Sequence, residues 1–225
     1  MNKQRIFDYS FVVLGLLTQV LAYYWNPLFH GLPAPHWLNL VSGLSGILSV
    51  FLCSQGKMLF YLFGLIQIST YAVICYWSQL WGQIAMNAFF FACQCYGIYH
   101  WYQRIHGANK GVGESVPTIR LSARLLALVT LAILVLSAAV GYGLDAYTSD
   151  AEPYFDAFTT VAALFAEILM ILAIRDQWYI WFVVDLVYIV LFSRIGNYCM
   201  MMEYAFWTAN CVYGYVMWSK SLVKG

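Results

Sequence analysis

Charge is what this chain lacks. Only 9% of its 225 residues are charged, against 63% that are hydrophobic. A water-soluble domain of this length carries roughly a quarter charged residues, so too few polar side chains exist to cover an outside that faces water. A basic excess is missing too: the net charge is +1, with no acidic or basic tail, and nucleic acid is therefore not an expected partner. Loop cysteines are also missing. Cys53, Cys75, Cys93, Cys95, Cys199 and Cys211 all fall within or at the ends of apolar segments and read as small core residues rather than disulfides or metal ligands. His30, His36, His100 and His106 stand in loops or at helix ends, no two at ligand spacing on a helix, so no metal or other cofactor is expected. No Ser-His-Asp set, paired acid or phosphate loop occurs, and no catalytic residue is assigned.

What is present is a series of apolar runs about twenty residues long, the length that crosses a bilayer at about 1.5 Å per residue. Eight are read, at 9–27, 38–55, 58–77, 81–103, 120–143, 154–174, 177–194 and 198–219. The breaks fall at Asn26 to Pro35, Ser54 to Lys57, Arg104 to Pro117, Asp145 to Pro153 and Arg175-Asp176. The fold class is an all-α polytopic membrane protein in the lipid bilayer. With the N-terminus inside, Lys3, Arg5, Lys57, Arg104, Lys110, Arg120, Arg124, Arg175, Lys220 and Lys224 lie on the inner side and only Arg194 outside. Short cytoplasmic loops retain Lys and Arg, so both termini are expected in the cytoplasm. The first run has no small-residue cleavage site, and a cleavable signal peptide is not expected.

Sliding the chain on itself by 117 residues brings Tyr96-Gly97 onto Tyr213-Gly214, Trp101 onto Trp218, Tyr71 onto Tyr188, Tyr61 onto Trp178 and Asn39 onto Asp156. The implied organisation is an accessory first helix in 1–37, a three-helix bundle in 38–103, a loop and linker helix in 104–153, and a second bundle in 154–225. One helix between two blocks of three gives the blocks a shared orientation. The repeat is therefore parallel, related by an axis along the membrane normal, and such repeats place a substrate site between them.

Polar residues inside spans are costly in lipid and mark function. Trp178, Trp181, Asp185 and Tyr188 are read as one stripe, and Asn87, Phe91, Gln94 and Trp101 as a second. Gln67 with Tyr71 is a third, and Glu203 with Trp207 and Asn210 a fourth. The binding candidates are Trp178, Trp181, Asp185, Tyr188, Asn87, Gln94, Asn210, Gln67 and Tyr71. Interhelical amides also serve as packing glue, and for Asn87, Gln94 and Asn210 both readings stay open. Trp101, Trp218, Trp37 and Tyr23 read as interfacial belt residues, and Glu203, near a helix end, as solvated. Glu167 reads either as a proton-linked group or as an acid kept neutral by burial. Aromatic walls stack on a flat ring, a carboxylate attracts a ring cation, and amides match hydroxyls and a carboxamide. No buried Arg or Lys cluster is available for a phosphate. An aromatic glycoside fits, and a nucleotide does not.

Trp178-x-x-Trp181 after the Arg175 loop, Phe63-Gly64-Leu65-Ile66 after Lys57, and the run from Tyr96-Gly97 to Trp101 resemble the PnuC family of vitamin transporters, over nearly all of 38–219. The resemblance implies a fold similar to a full-length SWEET sugar transporter, with nicotinamide riboside as substrate. It also implies facilitated diffusion driven by phosphorylation of the vitamin inside the cell. The tryptophan motif then maps onto Trp178 and Trp181, and the inward polar positions onto Asn87, Gln94, Asp185 and Asn210. Thiamine or riboflavin is the alternative substrate, and a membrane enzyme or sensor subunit the rival class. A homo-oligomer stays open, since lipid-facing residues suit a second copy equally well.

Overall fold

The computed structural model describes residues 3–25, 36–77, 81–108, 114–148, 152–194 and 198–223. Eight α-helices hold nearly all of them: α1 (Lys3–Trp25), α2 (His36–Ser54), α3 (Phe60–Trp77), α4 (Trp81–Gly107), α5 (Ala123–Tyr147), α6 (Pro153–Ile171), α7 (Gln177–Arg194) and α8 (Tyr198–Lys220). Every expected apolar run is a helix, with ends displaced by a few residues. Six of the helices combine span length with high apolarity. The other two, α4 and α8, are long enough at 27 and 23 residues, but their amides, tyrosines and Glu203 dilute the apolar character. The break expected at Asn26 to Pro35 lies outside the described residues, as do His30, Lys110 and Lys224.

Helices α2, α3 and α4 pack on one another in sequence, and so do α6, α7 and α8. Between these two blocks α2 meets α8 and α4 meets α6. Because α6 and α8 are the repeat mates of α2 and α4, these are one contact made twice, as a twofold axis between the blocks requires. Each block is also closed by the same notch. A Cβ on Gly97 would overlap the Tyr61 ring, with Cε1 2.7 Å away, and one on Gly214 would stand 2.6 Å from Cε2 and Cζ2 of Trp178. Glycine is needed at both because an aromatic ring lies on the helix backbone there.

Trp101 and Trp218 are not belt residues. They are 0% and 1% exposed, with centroids 5.7 Å apart. The Trp101 indole donates to the carbonyls of Met170 at 3.2 Å and Ile171 at 3.1 Å, and Trp218 donates to Cys53 at 2.8 Å. Met170 is the repeat mate of Cys53, so each block inserts its tryptophan into the end of the other block's first helix. A tryptophan near a helix end ordinarily marks the lipid interface; here the axis passes between the pair and buries both. Trp37, by contrast, is 61% exposed.

The loops leaving α2 and α6 repeat as well. Gly56 and Ala173 have φ of 68° and 54°. Their N–H groups bond to Cys53 at 2.8 Å and Met170 at 2.9 Å, and those of Lys57 and Ile174 reach back to Leu52 at 3.0 Å and Leu169 at 2.8 Å. This is the left-handed helix stop that satisfies the last carbonyls of a helix.

Where a loop was expected, residues 114–122 form an extended strap beneath this tryptophan pair. Val116 donates to Gly56 of the first block at 3.0 Å. Thr118, Ile119 and Leu121 tie the strap to the second block: Thr118 donates to Ser221 at 3.1 Å, Ile119 to Ala173 at 3.0 Å, Arg175 to Ile119 at 2.8 Å, and Leu121 N–H to the Asp176 carboxylate at 2.7 Å. Asp176 also pairs with Arg175 at 3.0 Å. Helix α5 packs on α6. Helix α1 lies outside the repeat yet touches both blocks through α2 and α8, with Tyr213 donating to Asp8 at 2.7 Å.

Candidate substrate site

The interior between the blocks is where the sequence put its costly residues, and the structure sorts them by height. Along α7 the rise of about 1.5 Å per residue spreads Trp178, Trp181, Asp185 and Tyr188 over several turns. Trp178 stands lowest. It is 3% exposed, meets Trp218 edge to face at 5.6 Å and lies on Gly214, so its surroundings are those of its mate Tyr61, which meets Trp101 edge to face at 5.4 Å. Its indole Nε1 has no hydrogen-bond partner among the described residues.

One level up, half-buried Trp181 borders both the apolar cluster that the two blocks share around Trp101 and Trp218 and the one formed by Ile133, Val161, Ala162 and Val184. Asp185 is buried, and among the described residues its carboxylate accepts only a long bond from the Cys211 thiol at 3.5 Å. Asn210, 0% exposed, donates across the block boundary to the Val50 carbonyl at 3.1 Å, and its Oδ1 has no partner among the described residues. Gln94 is buried with Oε1 likewise unpartnered. Buried polar atoms of native proteins are nearly all paired. Gln94 and Asn210 each hold a buried amide oxygen, and Asp185 a carboxylate bonded to a thiol, that find no further protein donor among the described residues.

The upper level is aromatic. Tyr188 stacks on Tyr204 at 4.6 Å, and Tyr204 lies within electrostatic reach of Tyr71, Asp185 and Glu203. Glu203 is buried rather than solvated, because α8 begins far enough beyond it for Gly46 of α2 to pack against it. A Cβ on Gly46 would stand 2.7 Å from Gln67 Nε2 and 3.3 Å from Glu203 Oε1. Tyr71 packs on Leu38 and Ile74. Asn87 is buried but bonds back to Gln83 of its own helix at 2.7 Å. Phe91 is 46% exposed and leaves the expected stripe; the buried line on α4 is Asn87, Gln94 and Trp101, seven residues apart.

The profile described as Nicotinamide mononucleotide transporter matches residues 36–220. The chain belongs to this family. Among curated members of the PnuC family, the nicotinamide riboside transporter PnuC of Neisseria mucosa is 31% identical over 97% of this chain and 82% of its own length. That of Haemophilus influenzae is 30% identical over 97% and 91%. A crystal structure described as the vitamin B3 transporter PnuC superimposes with a TM-score of 0.76 at 29% identity, covering 96% of this chain and 91% of its own. Like these PnuC transporters, this is a multi-pass membrane protein.

Residues absent from the sequence-derived set also reach this interior. Gly64 lies against both Ser49 and Gln94, and Glu167 is buried with its Oε1 unpartnered among the described residues. Gly64 stood out in the sequence only within the Phe63-Gly64-Leu65-Ile66 motif; its place opposite Trp181 at the 117-residue offset gains meaning once the repeat is spatial.

Proposed function

We propose that this chain is a carrier that takes up nicotinamide riboside by facilitated diffusion across the cell (inner) membrane, its N- and C-termini cytoplasmic. Phosphorylation of the riboside inside the cell then keeps uptake running. The observation that carries this reading is Asp185. It is a buried carboxylate whose bonded neighbour is a thiol, within spans whose Lys and Arg all stand near the ends. An ionised carboxylate is strongly unfavourable there unless a cation faces it, and the pyridinium ring of the riboside is one. Trp181 offers that ring a face, Tyr188 and Asn87 bound it from above, and the orphaned oxygens of Gln94 and Asn210 accept ribose hydroxyls. A phosphate finds no cation here, which favours the riboside over the mononucleotide.

Binding of the riboside to purified protein tests the site. Trp181→Ala and Asn210→Ala are each expected to weaken it by about tenfold or more, and unchanged affinity in both removes the assignment. In liposomes without a trapping enzyme, the riboside is expected only to equilibrate. Accumulation driven by a proton or sodium gradient would overturn facilitated diffusion and bring Glu167 and Glu203 forward as coupling groups.

A further inference from the structure

The twofold repeat is broken chemically at one buried spot. In the first block, a Cβ on Gly64 of α3 would stand 3.1 Å from both Oε1 of Gln94 on α4 and Oγ of Ser49 on α2. The mates of Ser49, Gly64 and Gln94 in the second block are Ala166, Trp181 and Cys211. One block keeps a hydroxyl, a bare α-carbon and an amide where the other keeps a methyl, an indole and a thiol. The Ser49 hydroxyl is committed to the Phe60 carbonyl at 3.0 Å, but Gln94 Oε1 is buried and unpartnered.

A site lined alike by two related blocks holds a solute equally well in two opposite orientations. Unlike walls remove that degeneracy. An amide oxygen accepts a hydroxyl proton, whereas an indole presents a flat apolar face. We propose that Gly64 is a specificity-determining position that orients the substrate. By carrying no side chain, it lets the Gln94 amide occupy the place that the indole takes in the second block. The sugar then lies toward the first block and the ring toward Trp181. Gly64 acts through Gln94 as a positioning residue, and the inference rests on the substrate class proposed above.

Calorimetric binding of nicotinamide riboside and of its 2′-deoxy and 3′-deoxy analogues tests it, on wild type, Gln94→Ala, Gly64→Ala, Gly64→Val and Trp181→Ala. Wild type is expected to bind one deoxy analogue about tenfold more weakly, the effect of one lost hydrogen bond. In Gln94→Ala and Gly64→Val that ratio is expected to fall close to one, and in Gly64→Ala to an intermediate value. Trp181→Ala is expected to weaken all three ligands and leave the ratio intact. A merely structural role for Gly64 lowers every affinity alike and does not move the ratio. If Gly64→Val does not fold, the ratio in Gly64→Ala decides. A wild-type protein that binds no riboside overturns the proposed function. A wild type that binds it but tolerates both deoxy analogues, or Gly64 variants that keep the wild-type ratio, overturn the orienting role alone.

Discussion

Gly56 and Ala173 hold the same left-handed conformation at equivalent helix stops, at φ of 68° and 54°, with different side chains. The conformation costs a residue with a Cβ about 1–2 kcal/mol, and Gly56 avoids that cost. An alanine there would also place its Cβ 3.2 Å from Ser115 Cβ and 3.3 Å from Val116 N. Gly56→Ala is therefore expected to lower stability by about 2 kcal/mol. Ala173 already carries the strain, but its methyl is fully buried. Ala173→Gly relieves about 1 kcal/mol of backbone strain and forfeits a similar amount of packing, so it is expected to be near neutral. Thermal unfolding in detergent distinguishes the two, and equal shifts in both variants would contradict this account. The residues that were hardest to read alone were of this kind. Ala173 carries no sign of its φ, and Glu203 near a helix start looks solvated until Gly46 of another helix is found against it.

Helices meet through the two aromatic-on-glycine notches, Tyr61 on Gly97 and Trp178 on Gly214. A methyl group at either glycine overlaps a ring locked between helices, so Gly97→Ala and Gly214→Ala are each expected to cost about 1–3 kcal/mol. Pairing Gly97→Ala with Tyr61→Leu is expected to restore part of the loss, measured again by thermal unfolding; no restoration would mean that the ring is not what the methyl strikes. At this scale the sequence was informative. Each apolar run of span length became a helix because a backbone in lipid must satisfy its own hydrogen bonds. The polar stripes were legible in part. Asn87, Gln94, Asp185 and Asn210 are buried as their spacing demands, while Phe91 and the two axial tryptophans were misplaced. Helical periodicity reports a face of one helix and not which neighbour covers it.

For the molecule as a whole, the repeat was visible as sparse identities, and its meaning emerged only in space, where Trp101 and Trp218 exchange bonds between blocks. The bias of Lys and Arg makes a separate prediction. In a cysteine-free background, Asp145→Cys in intact cells is expected to react with a membrane-impermeant thiol reagent. Arg120→Cys is expected to react only after permeabilisation. Both positions are exposed on the protein, so the reverse pattern would invert the topology.

The exchanged indole bonds also bear on how this end of the two blocks parts. Trp101 reaches from the first block to the second, and Trp218 from the second to the first. A tilt that frees one indole while the other stays sealed strands a buried N–H, at about 1–3 kcal/mol; a tilt that frees both lets water reach both. Partial openings are thus disfavoured relative to either extreme. This end is therefore expected to act as a two-position switch and not as a continuously adjustable aperture.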